Sequence, residues 1–77
     1  MNGKIKASAL KEMQGKHPDE LVWLRLRITT PLTGEEISLL TAWGGNLLFD
    51  SGMMAILNVP VGRVNKLAEW ETILEII

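Results

Sequence analysis

Apolar and polar residues alternate with a period of two along "LVWLRLRIT", from Leu21 to Thr29. Val22, Leu24, Leu26 and Ile28 fall on one side, and Trp23, Arg25 and Arg27 on the other. Successive side chains of a strand point to opposite faces, so this pattern predicts a half-buried strand, ended by Pro31. In "TGEEISLLTAW" the period changes. Ile37, Leu40 and Gly44 make one stripe at helical spacing, with Leu39 and Trp43 beside it. Thr33 followed by Glu36 is a capping box, and Gly44 with Gly45 supplies a left-handed exit.

Upstream, "SALKEMQ" predicts a short helix over 8–14, with Ser8 as N-cap and Gly15 as stop. In "GKHPDE" the proline turns His17 away from helical angles, which predicts a polar loop. Downstream, "NLLFD" and "MMAILNV" predict a hairpin that turns at Ser51 and Gly52. Pro60 suits the first turn of a second helix, "VGRVNKLAEW", with Val61, Val64, Leu67 and Ala68 on one side. "TILEII" predicts a closing β-branched strand.

After the leading helix the order is strand, helix, strand, strand, helix, strand. Right-handed crossovers then place strands one and three in the centre. The expected class is α+β: a ferredoxin-like split βαβ sandwich, with a four-stranded antiparallel sheet and two helices on one face. No repeat, linker or low-complexity tract divides the chain, so residues 1–77 form one domain.

Such a sheet has a second face that no helix covers, and "GGNLLFDSGMMAILNVP" bears on it. Both strands of the predicted hairpin carry bulky apolar residues at neighbouring positions, as if neither face were meant for water. With Ala55, Leu57 and Val59 turned to the helices, Met54, Ile56 and Asn58 join Trp23, Arg25 and Arg27 on the open side. Leu48, Leu74 and Ile76 are candidates to extend that set. A contiguous apolar patch of this kind marks a partner surface. The partner is either another protein or a second copy of this chain.

Composition narrows the partner. The 77 residues are 47% hydrophobic and 22% charged with a net charge of −1, so the chain is globular and not a dedicated nucleic-acid binder. It has no cysteine, hence no disulfide, thiolate metal site or cysteine nucleophile. "MNGKIKASAL" lacks the apolar segment of a signal peptide, and no run approaches transmembrane length. Two locations therefore stay open: the cytoplasm, or a secreted precursor from which this chain is an excised piece.

"KIKASALKEMQGKHPDELVWLRLRI" and "GGNLLFDSGMMAILNVPVGRVNKLAEWETILEII" together resemble the N-terminal propeptides of subtilisin-type serine proteases. The family typically shows a Gly-Gly or similar turn after helix one, a small-apolar third strand, a Val-Pro-type step, a V-x-x-L helix and a short last strand ending in acidic residues. Here those positions are Gly44 and Gly45, Met54 to Leu57, Val59 and Pro60, Val64 and Leu67, and Ile73 to Ile76. The resemblance covers the chain from about Lys4 to Ile77 and implies an intramolecular chaperone and inhibitor. In that family the open sheet face docks on surface helices of the protease, and a C-terminal tail enters the catalytic cleft. The partner-binding set it implies is Trp23, Arg25, Arg27, Met54, Ile56, Asn58, Ile76 and Ile77, with a subtilisin-like protease domain as partner. Because this sequence stops at Ile77, directly after the last strand, the expectation is firm docking with weak or temporary inhibition.

Candidate chemistry is sparse. His17 is the only histidine. Asp19, Glu20, Ser8, Ser38 and Ser51 would be its nominal partners, but a charged loop offers neither a pocket nor an orienting group. No enzymatic activity, cofactor or metal is expected, since one histidine with scattered carboxylates is not a ligand cluster. "WGGN" is a helix stop and not a phosphate loop, because no Lys-Ser/Thr follows it. RNA-recognition domains share the topology, yet they place aromatics on strand three, where this chain has Met54 and Ile56. A ferredoxin-like module that self-associates or binds another protein through the same face is the main alternative to protease binding.

Overall fold

The computed structural model describes residues 3–77. The elements are α1 (Ala7–Met13), β1 (Leu21–Ile28), α2 (Gly34–Ala42), β2 (Asn46–Asp50), β3 (Met54–Pro60), α3 (Val64–Ala68) and β4 (Ile73–Ile76). A single 3-10 turn, Val61–Arg63, leads into α3. The strands form one antiparallel sheet in the order β2-β3-β1-β4. This is the expected ferredoxin-like βαββαβ arrangement, with β1 and β3 central and each helical connection passing over a neighbouring strand.

The alternation of β1 decides where the helices sit. Val22 lies opposite Val59, Leu24 opposite Leu57 and Leu26 opposite Ala55, and all six are buried. Leu40 of α2 and Val64, Leu67 and Ala68 of α3 complete the same core. Burying a Val or Leu side chain contributes roughly 1.5–3 kcal/mol, so one continuous apolar row is enough to hold both helices on that face.

Local signals set the helix ends. The Thr33 hydroxyl accepts the Glu36 N–H at 3.1 Å, and the Glu36 carboxylate accepts the Thr33 N–H at 2.9 Å. The predicted capping box is thus formed, and Glu36 also accepts from the Thr72 hydroxyl at 3.1 Å, tying α2 to the start of β4. Gly44 leaves the helix at φ +93°, in the left-handed region. Gly45 is needed for a different reason. A Cβ there would sit 2.3 Å from the Asn58 carbonyl oxygen and 2.7 Å from Leu40 Cδ1, so only glycine lets the chain pass between α2 and β3.

Three expectations shift. The leading helix begins at Ala7 with Lys6 as N-cap and no side-chain cap, so Ser8 lies inside the first turn. Its position is set by tertiary packing: Ala9 is fully buried and Ile5 forms a parallel bridge to Ile76. Pro60 closes β3, not the first helical turn, and the helix after it is 3-10 before it is α. There the backbone is held from outside, by Val61 N–H to the Glu20 carbonyl and Gly62 N–H to the Pro18 carbonyl, both at 2.9 Å.

Both edge strands are bulged. The register slips at Leu48 in β2 and at Leu74 in β4, and both leucines are exposed. The outer edge of β4 is occupied: Lys6 N–H donates to the Ile76 carbonyl and Ile76 N–H to the Lys4 carbonyl, each at 2.8 Å. Among the described residues no strand pairs with the outer edge of β2.

Candidate protein-docking face

The strand register lays the uncovered face out as rows across the sheet. Trp23 of β1 stands opposite Asn58 of β3, which stands opposite Asn46 of β2. The next row is Arg25, Ile56 and Phe49, and the third is Glu75 of β4, Arg27 and Met54. Same-face neighbours along or diagonally across strands are within reach of long side chains, so Trp23, Ile56, Phe49 and Met54 are contiguous. Trp23 is 55% exposed and Phe49 48%, large values for such side chains on a sheet face. The chain's other tryptophans behave differently. Trp43 and Trp70 stack on each other at 5.6 Å beside the helices, with the Arg63 guanidinium 5.8 Å from the Trp43 ring centre.

A groove of about 410 Å³ opens where α1 meets this face. Trp23, Arg25 and Ile56 of the sheet, Ser8 and Glu12 of α1, and Ile77 line it. Ile77 is held there by its N–H bond to the Arg25 carbonyl at 2.8 Å. The short leading helix therefore has a second task beyond sealing an edge: it borders the open face.

Charge on this face is unevenly partnered. Glu75 accepts from the Arg27 guanidinium and pairs with Lys6 at 3.4 Å. The hydrogen bond from Arg27, together with Lys6, holds its carboxyl below the usual glutamate range despite partial desolvation. Among the described residues no carboxylate lies within ion-pair distance of Arg25.

The structure brings Trp23, Arg25, Arg27, Met54, Ile56 and Ile77 to this face or its rim, and corrects two of the expected positions. Ile76 faces the helices: it lies opposite Leu26 and is fully buried. The bulge at Leu74 is the cause, because one extra residue reverses parity and puts Ile73 and Ile76, three apart, on the same side. Asn58 does lie on the open side, but it is only 8% exposed, and its Oδ1 accepts the Asn46 N–H at 2.7 Å. Its role is to anchor the start of β2, where Gly45 brings the backbone close. Phe49 is the residue that sequence reasoning missed. Strict alternation from Leu47 would turn it inward, whereas the bulge at Leu48 turns it out and sends Asp50 inward to accept the Leu32 N–H at 2.9 Å.

Elsewhere the polar groups serve turns. His17 is exposed, and its Nδ1 accepts the Asp19 N–H at 3.2 Å within its own loop. The Ser51 hydroxyl accepts the Met54 N–H at 3.1 Å and closes the hairpin. Among the described residues no group of three or more His, Asp or Glu side chains could hold a metal ion, and no helix is long and apolar enough to cross a membrane. No protein-family model, curated protein or solved structure matches the chain significantly.

Proposed function

We propose that this protein is a binding module that docks a subtilisin-like serine protease domain on its open sheet face, as a propeptide-type chaperone and inhibitor. The observation that carries the reading is the contiguous apolar patch of Trp23, Ile56, Phe49 and Met54 on the face that no helix covers. A sheet face preformed by its own core gives a folding partner a rigid template, and rigidity lowers the ordering cost of association. The resemblance to subtilisin propeptides supplies the identity of the partner. Docking uses no catalytic group of this chain.

The test is a titration of the protein against several subtilisin-like protease domains, with the nucleophilic serine replaced to measure binding and intact to measure peptide cleavage. Binding in the micromolar range or tighter, with slowed cleavage and faster refolding of the denatured protease, is the expected result. If every protease fails to bind below about 1 mM while the protein runs as a dimer that Trp23→Ala dissociates, the face serves self-association and the protease reading is wrong.

A further inference from the structure

The docking reading leaves one charge on the face unexplained. We infer that the partner places a carboxylate against Arg25, and that Arg25 alone, not Arg27, is the electrostatic determinant of docking. Arg27 already donates to Glu75, which Lys6 also contacts. Arg25 sits in the middle row, opposite Ile56, and lines the groove together with Trp23. A partner that covers Trp23 and Ile56 must also remove water from this guanidinium. A guanidinium desolvated without an acceptor is strongly unfavourable, so docking requires an anion at that point. The planar fork of Arg matches a carboxylate with two parallel hydrogen bonds.

Arg27 and Lys6 share the Glu75 carboxylate, while Arg25 has no ion-pair partner among the described residues. The remaining internal candidate is Glu12, which lines the same groove from α1 but makes no ion pair with Arg25. Glu12 therefore repels the incoming carboxylate and limits affinity. The occupant is an acidic side chain projecting from the protease surface among apolar neighbours, which seat against Trp23 and Ile56.

The experiment uses the full chain and its Arg25→Gln, Arg27→Gln and Glu12→Gln variants, titrated against a protease that binds the unaltered protein, at about 50 and about 500 mM salt. All three positions are exposed, and circular dichroism checks that each variant is folded. Arg25→Gln should weaken binding at least about tenfold and flatten its salt dependence, because it leaves the partner's carboxylate buried and unpaired. Arg27→Gln should change affinity less than about threefold, as a rim group does. Glu12→Gln should tighten binding by about two- to threefold through loss of like-charge repulsion. Binding that ignores Arg25→Gln overturns the inference and leaves the docking reading standing. Weaker binding by Glu12→Gln shows that Glu12 swings over to neutralise Arg25, which also overturns it. Failure of the unaltered protein to bind any protease removes the docking reading, and the inference falls with it.

Discussion

The two faces of the sheet are built from the same strands and differ in almost every physical respect. On the helix side, Val22, Leu24, Leu26 and Ile28 meet Ala55, Leu57 and Val59 with nothing polar among them, and all are buried. On the other side the intervening residues mix Trp23, Ile56, Phe49 and Met54 with Arg25, Arg27, Glu75 and two asparagines. The first face explains itself, because each of its side chains is covered by another part of the chain. The second does not. Its charges are partly matched, its aromatics are half exposed, and its groove is bordered by a helix that the core needs only for Ala9 and Met13. A face that folding leaves unsatisfied is where function is to be sought.

The sharpest way to break the comparison is to truncate each face in turn. Leu57→Ala removes a fully buried side chain from the central strand and should cost about 2–5 kcal/mol of stability, measured by chemical denaturation. A loss under about 1 kcal/mol would mean that the helix-side core is not closely packed. Trp23→Ala is the counterpart. It should shift stability by under about 1 kcal/mol yet cost at least about 2 kcal/mol of protease binding, since aromatics at the centre of an interface dominate its energy. Unchanged binding would place the contact elsewhere.

A smaller effect sharpens the covered side. Thr33→Ala strips the acceptor from the Glu36 N–H at the start of α2 and should lower stability by about 1 kcal/mol. An unmoved denaturation midpoint would show that the Thr72 hydroxyl, through Glu36, holds that helix end without the cap. The smallest expected effect belongs to the open side and depends on pH. The Glu75 carboxyl titrates below its ordinary value because the Arg27 hydrogen bond and Lys6 favour the charged form. Its contribution is therefore complete above the pKa of an unfolded glutamate and is lost as pH falls through the lowered folded value. Stability of the unaltered protein should decline more steeply than that of Glu75→Gln across the acid range. Parallel acid limbs would show that the open-face ion pairs contribute nothing.

The sandwich was legible in the sequence because its signals are local and mutually consistent. A period-two run at Leu21–Ile28, a capping box at Thr33 and Gly44 at a helix exit each depend on residues no more than a few positions apart. Alternation also identified the side of β1 that packs, and a strand of even period cannot place Trp23 among Val22, Leu24 and Leu26. What only the tertiary structure decided were the two edges. Whether β2 and β4 keep strict alternation depends on where each pairs with its central neighbour, and single-residue bulges at Leu48 and Leu74 reverse the parity beyond them. That reversal brought Phe49 out, took Ile76 in and set Glu75 against Arg27. The burial of Asn58 and the docking of α1 beside Arg25 have the same origin: both arise from contacts between segments far apart in the chain, which no local pattern encodes.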